Sequence, residues 1–460
     1  MTWRTGTWPN AHRPDALRPT ANEAAAGTVK SSAALAGWTA APFSGLIFLL
    51  LMIRFGMDRA LMGTSISLGS ANFTLGILFN FAFVFIAFTL LGFTLFSNRA
   101  MQSDAALPLA LWLPFLASLF ASVLYTAYPM EGIKFFWNVL TYFCLFVVGV
   151  HYSRYFTIGR IAEIVILTGI FPILVSLGFL VTDGFGQRLQ GAAGHPNMLA
   201  FFLFFYVSVG YHGIIWGWIR TKAIRYIAIP FCGLATLELL LTGTRSAFVA
   251  LFAFILVSTL RRPALLLLVL PAPLLALAIP SVNERVTEVF HADKPTVSYE
   301  YFVATARGDT DSEGGVQADS GMWRMFLWKA AWPVILEAPL LGHGASSFLP
   351  SSQEFFPLNA SGGSGAHNIY VQILFEQGFV GLFAYLWLVL GVCAVAIMRW
   401  RHNPSVAIFV IMLVLCFGVA SFSDNMLYYL IDQIYIWFIS GFALGVLTNA
   451  KAHERRAVRR

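Results

Sequence analysis

The feature that most constrains this chain is its succession of apolar runs, each long enough to cross a bilayer. A hydrocarbon core of about 30 Å takes about 20 helical residues. Runs of that kind recur at about 36–53, 73–96, 107–127, 133–150, 161–181, 197–219, 224–242, 246–260, 264–280, 379–398, 405–423 and 426–448. Only 11% of the residues are charged and 58% are hydrophobic, whereas a soluble domain carries about 25% charge. Folding in water would strand far too much apolar surface. The runs are too long, and too free of period-two alternation, for the strands of a membrane barrel. The pattern predicts an all-α polytopic membrane bundle of about twelve transmembrane helices. Pro271, Pro273 and Pro280 make the ninth run irregular.

The formal net charge is +7. Its placement points to orientation rather than to nucleic acid. With the N-terminus cytoplasmic, 19 of the 29 Lys and Arg fall in segments on that side. Only Arg54, Arg59, Lys134, Arg188 and Arg245 fall in short outer loops. That contrast orients a membrane protein and supports an even number of spans, with both termini cytoplasmic. The expected organisation is a polar tail at 1–35 without signal-peptide features and nine spans over 36–280. A long outer loop at 281–378, three spans over 379–448 and a basic tail at 449–460 complete it. The loop carries a Trp-rich stretch around Met322–Pro339, expected as a helix at the membrane surface, packed as a cap on the bundle. The four cysteines, Cys144, Cys232, Cys393 and Cys416, lie inside apolar runs without metal-ligand spacing, and read as ordinary thiols.

Four outer-boundary stretches carry chemistry. One runs from Arg188 to His195-Pro196-Asn197. The second is Thr242-Gly-Thr-Arg245-Ser246. The third is Arg324 with Pro339-Leu-Leu-Gly342-His343-Gly344. The fourth is Ser361-Gly-Gly-Ser-Gly-Ala-His367-Asn368-Ile-Tyr370, followed by Glu376, Gly378 and Gly381. Arginine near hydrocarbon is costly and usually partnered, and its planar fork matches phosphate oxygens. Arg188, Arg245 and Arg324 are therefore candidates to hold a pyrophosphate, against the plainer reading of headgroup contacts or pairing with Asp183 or other acids. His367, after a glycine-rich turn, is the candidate general base. Glu376 is a candidate to orient it or to pair with an arginine. Tyr370, His195 and His343 are secondary. His195 is expected to shape its turn, His343 to be structural, and Asn197 to cap a helix. No zinc-protease helix, Cys-x-x-Cys pair, phosphate-binding loop or Asp-rich cluster is present, so the expectation is chemistry without metal or cofactor.

In the order of these elements the chain resembles the O-antigen ligase and polymerase superfamily of bacterial envelope glycosyltransferases. An Arg-x-x-Gly stretch with Pro-Asn comes first and Gly-Thr-Arg-Ser next. A long outer loop with an Arg helix and a Pro-x-x-Gly-x-Gly turn follows. His-Asn-x-Tyr then leads into Glu-x-Gly-x-x-Gly. The resemblance spans about residues 185–385. It implies a GT-C-like fold in the inner membrane with a periplasmic active site. It further implies a donor glycan on undecaprenyl pyrophosphate, a lipid A–core acceptor, surrounding membrane lipids and no nucleic-acid partner. It also implies that His367 is catalytic and that Arg188, Arg245 and Arg324 lie near the pyrophosphate. An O-antigen polymerase and a protein O-oligosaccharyltransferase are the enzymatic alternatives. A transporter is the alternative of another class, disfavoured because the charges gather at the outer boundary while Glu238 and Asp432 are the main ones inside spans.

Overall fold

The computed structural model describes residues 65–68, 71–96, 99–183, 188–271, 298–306, 320–356 and 364–449, with Leu274, Leu277 and Asn283 as isolated positions. Helix dominates. Two short strands, β1 (Ser65–Leu68) and β2 (Ala71–Thr74), pair antiparallel before the first helix, a small departure from the all-α expectation. The bundle is built from α1 (Leu75–Phe96), α2 (Arg99–Tyr125), α3 (Pro129–Tyr152), α4 (Ile158–Asp183), α5 (Pro196–Ile215), α6 (Lys222–Leu241) and α7 (Arg245–Thr259). A four-residue α8 (Leu266–Val269) follows. The long loop contributes α9 (Tyr299–Ala306), α10 (Ser320–Glu337) and α11 (Phe348–Phe355). The chain returns through α12 (Ile369–Met398), α13 (Pro404–Ala420) and α14 (Leu430–Thr448).

Seven helices among the described residues are long and apolar enough to cross a membrane, and α7, α13 and part of α1 form shorter apolar helices. The chain is thus a polytopic helical membrane protein. The expected run at 36–53 and the tail at 1–35 lie outside the described residues, as do seven residues of the ninth run and nearly all of the C-terminal tail. Several helix starts are written locally. Pro129, Pro196 and Pro404 open α3, α5 and α13, where a missing N–H costs nothing. Asn368 caps α12 by accepting from the N–H groups of Tyr370 and Val371.

Packing within the bundle follows small residues. A Cβ on Gly149 of α3 would run into the Phe438 carbonyl of α14, and one on Gly441 into that of Phe146. The two helices approach at backbone distance, as small residues permit in lipid. The loop has a smaller core of its own. Phe326, Leu327, Ala331 and Ile335 of α10 pack with Phe348 of α11 and with Phe356, Ala366 and Phe375.

The expected span at 379–398 is a correction. Its helix begins ten residues earlier, at Ile369, and bends at Gly378, whose φ of 63° and ψ of −164° suit only glycine. At the bend the chain binds the loop. The N–H groups of His343 and Gly344 donate to the carbonyls of Phe375 and Glu376 (both 2.9 Å). Those of Phe379 and Val380 donate to Pro339 and Leu340 (2.8 and 3.1 Å). The Pro-x-x-Gly-x-Gly and Glu-x-Gly-x-x-Gly motifs are thus two halves of one brace. It fixes the loop to the helix that follows His367.

Candidate active site

The site is assembled at one end of the bundle, from four connections far apart in sequence. The first is the segment entering α5. Arg188 donates from Nε to the Thr242 carbonyl at 2.7 Å, and from Nη2 to Asn197 Oδ1 at 2.9 Å and Thr244 Oγ1 at 3.2 Å. Its planar fork ties the approach to α5 to the turn between α6 and α7. Arg245 opens α7 from that same turn and is half-buried.

Asn197 continues the chain of contacts. The N-cap position of α5 belongs to His195, without a side-chain cap bond. The cap expected at Asn197 is therefore corrected: its side chain turns away from its own helix. Its oxygen accepts from Arg188 and, at 3.0 Å, from the Thr244 hydroxyl; its amide donates to Asp424 Oδ2. Asp424, in the connection between α13 and α14, also accepts from the Tyr429 hydroxyl at 2.6 Å and the Asn425 N–H at 2.8 Å. His367 Nδ1 lies 3.5 Å from Asp424 Oδ1. Burial works to raise the Asp424 carboxyl, and the donors from His367, Tyr429, Asn197 and Asn425 outweigh it, holding it at about 2. Burial and the neighbouring carboxylate push the Tyr429 phenol upward, so it stays a donor.

His367 sits at φ +48°, a left-handed conformation costing about 1–3 kcal/mol away from glycine. It is the last residue before the Asn368 cap, so the strained turn and the cap together set where the imidazole stands. The ring keeps about 40% of its surface open. The Trp323 ring of α10 stands 5.9 Å away at 68°, and the Trp328 indole donates to the Ala366 carbonyl at 2.7 Å. The loop helix thus leans on the His367 segment. Arg324, next to Trp323, is half-buried in the first turns of α10. His195 lies close by, its ring 5.5 Å from Tyr429. Burial lowers its imidazole, Asp424 pulls it up, and Arg188 and His367 push it down.

Three candidates are engaged elsewhere. Glu376 does not reach His367. It is buried, accepting from Gln372 Nε2 at 2.9 Å and facing the Tyr428 hydroxyl at 3.4 Å. His343 bonds the Val334 carbonyl at 2.7 Å, and its ring lies 4.8 Å from that of Phe375, tilted by 38°. The Tyr370 hydroxyl donates to the Gly418 carbonyl at 2.8 Å. The carboxylate beside His367 is Asp424, which sequence reasoning passed over as part of a span connection. Its one signal was an acid set between two apolar runs on the same side as the four motifs.

A cavity of about 660 Å³ opens beside His367 and Asp424, between the start of α3, α11 and the α13–α14 connection. Among the described residues no group of three or more His, Cys, Asp or Glu is placed to hold a metal ion. The geometry offers an imidazole oriented by a carboxylate, an arginine tied to that carboxylate through one amide, and a cavity beside them.

Residues 230–386 match the family model described as O-antigen ligase. That stretch holds Arg245, Arg324, His367 and Glu376, while Arg188, Asn197 and Asp424 lie outside it. No curated protein matches the chain. The brace of two glycine motifs and His367 both lie inside the matched stretch, and over that third of the chain the protein is similar to the O-antigen ligase family.

Proposed function

We propose that this protein is an O-antigen ligase. It transfers O-antigen polysaccharide from undecaprenyl pyrophosphate to lipid A–core on the periplasmic face of the inner membrane. The observation that carries the reading is the continuous connection from Arg188 through Asn197 and Asp424 to His367. It brings Arg188 and His367 into one connected network, which supports the reading.

In this reading Asp424 accepts from Nδ1–H of His367, which leaves Nε2 as the proton acceptor. Nε2 takes the proton of an acceptor hydroxyl. The hydroxyl oxygen forms a bond to the anomeric carbon as the bond from that carbon to the pyrophosphate oxygen breaks. The electron pair leaves on the pyrophosphate, and direct displacement inverts the anomeric centre. Arg188, Arg245 and Arg324 meet the departing charge. A pyrophosphate leaves without a general acid, and the step needs no metal. Both termini are cytoplasmic, twelve spans cross the membrane, and the loop at 281–378 is periplasmic.

The test is lipopolysaccharide from a deletion strain complemented with wild type or with His367→Ala. A ligase mutant leaves bare core while long lipid-linked chains accumulate. General-base help is worth about 10²–10⁴-fold, so His367→Ala should give bare core at normal membrane levels. One repeat per core would instead identify a polymerase. Unchanged lipopolysaccharide with loss of protein-linked glycan would identify an oligosaccharyltransferase.

A further inference from the structure

The cavity beside His367 differs in chemistry from the arginine side of the site. Arg188, Arg245 and Arg324 are absent from its lining. Its wall on α3 carries Glu131, Lys134, Phe135 and Asn138, spaced to lie on one helical face. Opposite stand Gln372 and Asn425.

That opposite wall is fixed. Gln372 Nε2 donates to Glu376 Oε1 at 2.9 Å and to the Tyr428 hydroxyl at 2.8 Å. Its Oε1 accepts from Asn425 Nδ2 at 2.6 Å. The Tyr428 ring stacks on Phe135 with centroids 4.5 Å apart and planes at 11°, so both walls are clamped together at depth. Asn138 is different. It is half-buried in the lining, and its amide has no hydrogen-bond partner among the described residues. At the mouth Glu131 and Lys134 pair at 3.7 Å, both exposed.

A pyrophosphate would not settle here, because Asp424 and Glu131 repel it and the one Lys or Arg in the lining, Lys134, is paired with Glu131. A preformed wall of amides with an aromatic stack suits an uncharged, hydroxyl-rich saccharide. We propose that this cavity receives the acceptor sugar and delivers its hydroxyl to His367, with Asn138 as a direct contact that sets acceptor affinity. The assignment rests on the ligase reading.

The experiment uses the purified full-length protein in detergent. Its probes are a lipid-linked O-antigen donor, lipid A–core as acceptor, and core oligosaccharide freed of lipid for calorimetry. Asn138→Ala should raise the acceptor KM about tenfold, the equivalent of one lost hydrogen bond. The donor KM and the rate at saturating acceptor should stay within twofold. Asn138→Leu, which fills the space, should abolish calorimetric binding of the free oligosaccharide while its melting temperature stays that of wild type. Wild-type protein that makes no product would overturn the ligase reading and this assignment with it. Wild-type protein that ligates normally, beside Asn138 variants with unchanged acceptor KM or a raised donor KM, would overturn this assignment alone.

Discussion

Asn197 touches both Arg188 and Asp424, its oxygen accepting from the guanidinium at 2.9 Å and its amide donating to the carboxylate. One neutral side chain thus couples Arg188 to the carboxylate beside His367. An aspartate there would set like charges together, and an alanine would leave both partners short of a bond.

Asn197→Ala is accordingly expected to lower stability by about 1–3 kcal/mol, the cost of buried groups losing a partner. It should also reduce ligation more than its loss of folded protein explains. Thermal unfolding in detergent together with lipopolysaccharide gels on matched protein levels checks both.

Asp424→Asn keeps the shape and removes the charge. Ligation should fall by about 10²–10⁴-fold, because the imidazole loses the partner that fixes its tautomer. The pH dependence has a definite sign. The folded carboxyl is held at about 2, below its ordinary value of 3.8. Its contribution to stability is therefore present above pH ~4 and lost as pH falls from there toward 2. The melting-temperature gap between wild type and Asp424→Asn should hold constant from neutral pH down to about 5 and close below 4.

Arg188→Lys tests the fork rather than the charge. A single ammonium cannot reach Thr242, Asn197 and Thr244 in the same geometry. Ligation should drop at least tenfold with the net charge unchanged, and full activity would remove the geometric role given to Arg188.

Gly378→Ala should be the most disruptive of the brace variants. The added Cβ meets the Leu340 carbonyl, and the backbone lies where other residues do not go. A loss of about 3 kcal/mol or more is expected, read as failure to accumulate in the membrane. Gly233→Ala, in open space on α6, is the control and should accumulate normally.

The sequence is most transparent where one local rule suffices. Apolar runs located the bundle, prolines opened helices at Pro129, Pro196 and Pro404, and Asn368 capped α12. Run length alone misplaced the start of α12. Its first turns carry Gln372, Glu376 and Gln377 and read as loop, yet they are buried against the cap and α14 rather than exposed to lipid. The site was legible as a set of motifs but not as a set of contacts. Asp424 belongs to no motif, and its value comes from what two distant segments, those of Asn197 and His367, bring to it. Glu376 drew attention by its place after His367. Helical spacing instead puts Gln372 one turn before it, and that amide takes up its carboxylate.

The most direct test is single-turnover transfer by purified protein from a lipid-linked O-antigen donor to lipid A–core, wild type against His367→Ala. The account predicts that His367→Ala binds the donor as wild type does but transfers at least a hundredfold more slowly. Transfer at the wild-type rate would contradict it.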